Sequence, residues 1–176
     1  KKISSKLDIL TNIERATKET ISKSILKNYK PNDITVNSIE NFIQDYFIKD
    51  LRGVGGKKIL IVGAGNIGSK IALRLLESGG LVSLLRRNKK KLKIINNALN
   101  IIKPTYTEAK SSIIYKDQLR LESYDIIIGC TDREVKFKKI NNFKKHPMII
   151  DVGQGMFSKN YVKHLSIKKV PVFRLD

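Results

Sequence analysis

Gly63-Ala64-Gly65-Asn66-Ile67-Gly68 has the spacing Gly-x-Gly-x-x-Gly, and each glycine suits a separate task in holding a pyrophosphate. Gly63 permits a tight turn, Gly65 lets backbone approach the phosphates, and Gly68 lets a helix pack closely on a strand. Ala64, Asn66 and Ile67 fill the remaining positions, and the helix that opens there offers free N–H groups and the positive end of its dipole to an anion. About 20 residues further on, where the ribose of a bound dinucleotide is read, the chain has Arg86-Arg87-Asn88-Lys89-Lys90-Lys91 and no acid between Glu77 and Glu108. A carboxylate there would favour NAD. A guanidinium binds a 2′-phosphate through charge-assisted hydrogen bonds, so NADP is the expected cofactor. A glycine-rich turn without a ligand, and arginines that are merely solvated, are the plainer alternatives.

These residues need a strand ahead of them and a helix behind. Lys58-Ile59-Leu60-Ile61-Val62 is a continuous apolar run of the kind a parallel strand shows when both its faces are covered. Asn66–Ser78 reads as a helix with Ile67, Ile71, Leu75 and Leu76 on one side, and Lys89–Leu99 as another. Further strands are expected at 81–85, 112–115, 125–128, 148–151 and 170–173, with helices over 135–143 and 159–165. This alternation predicts an α/β doubly wound parallel sheet of Rossmann type. Only 116–124 separates the third strand from the fourth, which is short for a helical crossover.

Ahead of the sheet, residues 1–52 read as a helical N-terminal segment, and 53–176 as the dinucleotide-binding domain. Ile3, Leu7, Leu10, Ile13, Thr17, Ile21 and Ile25 recur at helical spacing. Asn28 to Asp33, with Pro31, breaks that pattern. A second helix is expected from Asn37 as N-cap, with Glu40 three positions on and Ile39, Phe42, Ile43, Tyr46 and Phe47 as its apolar stripe.

Lys and Arg number 35 against 16 Asp and Glu, a formal charge of +19. Such an excess suits an anionic partner, but 27 Lys, 26 Ile and 13 Asn also follow the bias of an A/T-rich coding sequence. No apolar run approaches the roughly 20 residues of a membrane span, no signal-peptide core follows the first residues, and a cytoplasmic location is the default. Cys130 is alone, so no internal disulfide forms. His146 and His164 lack metal-ligand spacing, and no metal is expected. The first residue is not Met, which admits a longer parent protein.

Lys57 to Asp151 resembles the nucleotide-binding domain of shikimate dehydrogenases and glutamyl-tRNA reductases, and more loosely that of methylenetetrahydrofolate dehydrogenases. The resemblance rests on the run from Lys58 through Gly68, on Arg87 in the place of the arginine of that family's Asn-Arg-Thr element, on Asp125 through Thr131, and on Ile149 through Gly153. It implies that Arg86, Arg87 and Asn88 hold the adenosine phosphate. It also implies that Thr131 lies near the nicotinamide ribose and that Gly153 borders the cofactor. The reaction is less defined. Shikimate dehydrogenases pair a lysine with an aspartate, and Asn37 stands where that acid would fall. Asparagine is no general base. Glutamyl-tRNA reductases use a cysteine in a separate N-terminal domain, whereas Cys130 sits at a strand end as a small buried residue.

No catalytic residue is named by the sequence. Asp132, Arg133 and Glu134 follow the fourth strand, at the edge where ligands of open sheets sit. Asp151 and Gln154 follow the fifth, and Tyr106 or Tyr161 could supply a proton if it faces the cleft. The leading expectation is an NADP(H)-dependent oxidoreductase, or the cofactor-binding portion of one, transferring hydride to or from a small carbonyl, hydroxy or imine substrate. A non-catalytic NADP(H) sensor or structural module is the alternative. Binding of RNA or of a tRNA-linked substrate comes third, since no nucleic-acid signature is present. A small-molecule substrate and a homodimer through the N-terminal helices are the expected partners, without nucleic acid or membrane.

Overall fold

The computed structural model describes residues 13–25, 27, 31–137, 146–153 and 155–174. The chain forms two compact units, one running to Pro31 and the other beginning at Asn32. In the first, α1 spans Ile13–Thr20. The helix expected to continue through Ile25 ends there, since Ile21-Ser22-Lys23-Ser24 joins a β-branched residue to two serines, which are weak helix formers. Ile3, Leu7 and Leu10 lie outside the described residues.

The next helix, α2 (Pro31–Tyr46), starts at the last residue of the first unit and otherwise belongs to the second, which continues with β1 (Lys58–Val62), α3 (Asn66–Glu77), β2 (Leu81–Leu85), α4 (Lys89–Ile102) and β3 (Ser111–Ile113). After a 3-10 turn at Leu121–Ser123 come β4 (Ile126–Gly129), β5 (Met148–Asp151), α5 (Lys159–Ile167) and β6 (Val172–Arg174). All strand pairs are parallel, in the order β3-β2-β1-β4-β5-β6. This is the doubly wound Rossmann-type sheet that the strand–helix alternation predicts. The order in which strands are added reverses between β1 and β4, where the two halves leave a crevice at the carboxyl ends of the strands.

Strand periodicity divides the core into two. Ile59, Ile61, Ile126, Ile128 and Ile150 face one side, where α2, α3 and α4 cover them. Leu60, Val62, Ile127 and Ile149 face the other, against Leu121, Tyr124, Met156, Phe157 and Leu165. Both faces of β1 are covered, which accounts for its unbroken apolar run.

Several boundaries differ from the periodicity reading. α2 starts at Pro31 instead of after Asn37. Proline is well suited to the first helical position, where its missing N–H has no partner to lose, and Asp33 favours the first turn. Asn37 is therefore an exposed mid-helix residue, and Glu40 pairs with Arg74 on α3 at 3.7 Å. β4 begins at Ile126 because the side chain of Asp125 accepts the N–H of Lys58 at 2.9 Å. β6 begins at Val172 because the N–H of Val170 closes α5 on Leu165 O. β3 spans only Ser111–Ile113, and α4 runs on to Ile102. Within the helix expected over 135–143, residues 135–137 are not helical: Val135 N–H instead donates to Met156 O at 2.9 Å. Residues 138–143 lie outside the described residues.

Candidate functional site

The carboxyl end of β1 turns sharply at Gly63, whose φ of +98° an L side chain rarely adopts. Its N–H donates to Leu85 O at 2.9 Å, and a Cβ there would lie 2.5 Å from Cys130 O. Gly63 thus lets the ends of β1, β2 and β4 converge. At Gly68 a Cβ would overlap the carbonyl oxygen of Gly63, so this glycine sets the close approach of α3 to β1. Gly65 is different. A Cβ there would meet no protein atom nearer than Gly63 O at 4.0 Å, and the residue lines an open cleft.

Gly65 is the N-cap of α3, and no side chain caps that end. The N-termini of α4 and α5 are capped, by the side chains of Asn88 and Ser158. The first-turn N–H groups of α3, from Asn66, Ile67 and Gly68, have no acceptor within the helix, and they carry the positive end of its dipole. This arrangement suits an anionic group approaching over Gly65.

The cleft has a volume of about 1080 Å³ and lies across the β1–β4 switch point. That exceeds the roughly 300–1,000 Å³ of pockets for drug-sized ligands. Val62, Gly63 and Gly65 form its middle, and Leu85 through Lys89 form the β2 side. Cys130 through Val135 form the β4 side. Thr131 Oγ1 accepts the N–H of Arg133 at 3.3 Å, which shapes the loop after β4.

The sequence-expected cofactor residues fall into groups. Gly63, Gly65, Arg86, Arg87, Asn88 and Thr131 come together in the cleft wall. Ala64 is fully buried behind it, Gly68 is packing against β1, and Asn66 is exposed at the start of α3. Ile67 packs against the core, and Gly153 presses on the backbone of Thr131. The three β2-end residues have different tasks. Arg86 Nη1 donates to Ala64 O and so ties the β2 end to the glycine loop. Asn88 Oδ1 accepts Lys91 N–H at 2.9 Å as the cap of α4. Arg87 is exposed at the rim, and beside it Lys89 Nζ stands 5.2 Å from the centre of the Tyr115 ring.

Tyr115, Lys116 and Asp117 also line the cleft, and sequence reading missed them. Placing Tyr115 inside β3 hid it. Ending the strand at Ile113 puts Tyr115 on the carboxyl-edge loop, where the rule for ligands of open sheets would have found it.

The remaining candidates divide between this cleft and other parts of the structure. Burial, helped by the negative charge of Asp151, pushes the Cys130 thiol up to about 12, so it is no thiolate at neutral pH. Burial likewise pushes the Tyr161 hydroxyl up to about 12. Its ring stacks on Phe157 at 5.0 Å in a different pocket, of about 520 Å³. Tyr106 is exposed and does not line the cleft. Asp132, Arg133 and Glu134 do line it, and all three are exposed. Asp151 is buried beneath the β5 end, and burial raises its carboxyl above the usual range against the opposing pull of Met156 N–H, Arg174 and Gly155 N–H. Gln154 lies outside the described residues. His146 precedes β5 and His164 lies on α5. Among the described residues no group of three or more His, Cys, Asp or Glu is placed to hold a metal ion, and no helix is long and apolar enough to cross a membrane.

Comparison with known proteins agrees with this fold. Residues 59–133 match the family model described as ketopantoate reductase PanE/ApbA. No curated protein matches the chain by sequence. The chain is similar in structure to the A chain of dipicolinate synthase from Bacillus subtilis, at 17% identity and a TM-score of 0.56, over 95% of this chain and 53% of that one. It is similar to glutamyl-tRNA reductase from Methanopyrus kandleri at 19% identity and a TM-score of 0.55, over 92% and 38%. A shikimate dehydrogenase in complex with NADP+ matches at 18% identity and a TM-score of 0.52, over 79% and 50%. The chain thus spans about half the length, or less, of these proteins. At such identities the likeness is one of fold, and it includes the shikimate dehydrogenases and glutamyl-tRNA reductases that Lys57 to Asp151 resembles in sequence.

Proposed function

We propose that this chain is the NADP(H)-binding portion of an oxidoreductase that transfers hydride between the nicotinamide and a small carbonyl, hydroxy or imine substrate. The observation that carries this reading is Gly65, a glycine that the packing around it does not require, at the uncapped start of α3 and facing a cleft at the β1–β4 switch point. The NADP+ complex of the shikimate dehydrogenase and the ketopantoate reductase family model support it.

The bound dinucleotide would supply the hydride chemistry. The first-turn N–H groups of α3 would bind its pyrophosphate. Arg87 and Lys89 are the cations on the β2 side of the cleft that are not engaged in tying the loop, so they would meet the 2′-phosphate. Arg86 would hold the loop in place through Ala64 O, and Asn88 would fix the direction of α4. Thr131 would border the second half of the dinucleotide, beyond the pyrophosphate. A cytoplasmic location and a homodimer through the N-terminal helices belong to the same proposal.

Fluorescence titration with NADPH and NADH tests it. Wild type is expected to bind NADPH more tightly than NADH, and Arg87→Ala to remove that preference. Equal affinity of wild type for the two would overturn the assignment of NADP(H).

A second reading is a module that binds NADP(H) and turns nothing over. It is favoured by the Cys130 thiol, pushed up to about 12, and by the position of Tyr161 in a different pocket. Tight NADPH binding with no oxidation by a panel of carbonyl and imine compounds would support it. Turnover of any of them would exclude it.

A further inference from the structure

Asp151 is 1% exposed at the carboxyl end of β5. A carboxylate so placed is costly unless its oxygens are paired. Oδ1 accepts the N–H of Met156 at 3.4 Å, and the N–H of Gly155 also donates to the carboxylate. Oδ2 has no hydrogen-bond partner among the described residues, and Arg174 Nε stands 4.0 Å from it.

The turn held in this way presses on the loop after β4. A Cβ at Gly153 would overlap Thr131 O, and one at Gly155 would lie 2.8 Å from Asp132 O. Met156 O accepts Val135 N–H at 2.9 Å, and the Met156 side chain fills the space beside Gly129. Thr131, Asp132 and Val135 all line the cleft. A chain of contacts therefore runs from one buried carboxylate through a turn to the β4 wall of the site.

We propose that Asp151 is a positioning residue for the second half of the dinucleotide: its carboxylate holds the turn bearing Gly153, Gly155 and Met156, and that turn sets the place of Thr131 and Asp132. The inference rests on the proposed NADP(H) site. A dinucleotide crossing the switch point puts its adenosine over the β2 end and its other half over the β4 end. Asp151 therefore affects only the latter.

The test compares NADPH with adenosine 2′,5′-bisphosphate, which carries the adenosine half and the 2′-phosphate but no nicotinamide. Asp151→Ala is expected to weaken NADPH by about tenfold, the effect of losing a hydrogen bond to a charged group, and to leave the bisphosphate unchanged. Asp151→Asn keeps an acceptor oxygen and is expected to restore most of the NADPH affinity. Equal weakening of both ligands, no weakening of either, or failure of Asp151→Asn to restore binding would overturn the proposal. If Asp151→Ala does not fold, Gly155→Ala tests the same contact from the turn, with the same loss of NADPH and not of the bisphosphate expected. Wild type that binds neither ligand would overturn the NADP(H) reading itself and this inference with it.

Discussion

Two arginines adjacent in sequence have different work at the residue scale. Arg87 is at the rim with its charge toward solvent, whereas Arg86 is tied to Ala64 O. Arg87→Ala is expected to weaken NADPH about tenfold or more, through loss of a charge-assisted bond to phosphate, and to leave NADH nearly unchanged. Arg86→Ala is expected to weaken both alike, because it loosens the loop proposed to receive the pyrophosphate. Paired titrations distinguish the two patterns. Asp151 makes a separate prediction about stability. Burial raises its carboxyl above the ordinary 3.8, so the folded chain holds that proton more tightly than the unfolded chain. Its contribution is then complete below about pH 3.8 and is lost as pH rises through the raised folded value. Melting temperatures of wild type and Asp151→Asn across that window should diverge, with the variant gaining on wild type as pH rises. Parallel curves would contradict this assignment.

The glycine loop and the helices around it supply the test at the scale of elements. Gly65→Ala adds a methyl group to open space, so the melting temperature should hold while NADPH affinity falls. Gly68→Ala forces α3 away from β1 and is expected to cost roughly 1–3 kcal/mol of stability. A Gly65→Ala protein that bound NADPH normally would remove the chief support for the site. Ile39 on α2 is fully buried in the cluster that includes Ile59 and Ile126, and Ile39→Ala is expected to cost about 2–5 kcal/mol in denaturant unfolding. How much was legible in the sequence follows from the range of the forces involved. β1, the glycine loop and α3 are local patterns, and the strand alternation carried the sheet. The position of Pro31 at the first turn of α2 was also readable locally, though the loop-breaking habit of proline pointed the other way. The tie between Arg86 and Ala64 depends on β2 lying beside β1, and the pressure of Gly153 on Thr131 depends on β5 lying beside β4. Such contacts between strands far apart in sequence leave no mark in spacing or hydropathy.

For the molecule as a whole, the charge of +19 separates into a local part and a diffuse part. Arg87 and Lys89 stand at the rim of one cleft. Most of the rest is lysine, 27 of the 35 basic residues, spread along the chain. RNA binding, measured at low and then physiological salt, is expected to be weak and to vanish at the higher ionic strength. Retention there would revive a nucleic-acid role. The central claim remains that a dinucleotide crosses the β1–β4 switch point with its pyrophosphate on α3. A crystal structure with NADP+ bound tests it most directly. Pyrophosphate oxygens are expected within hydrogen-bond distance of the first-turn N–H groups beyond Gly65, the 2′-phosphate beside Arg87 and Lys89, and the nicotinamide half along Thr131. NADP+ bound elsewhere, or with its pyrophosphate away from Gly65, would contradict it.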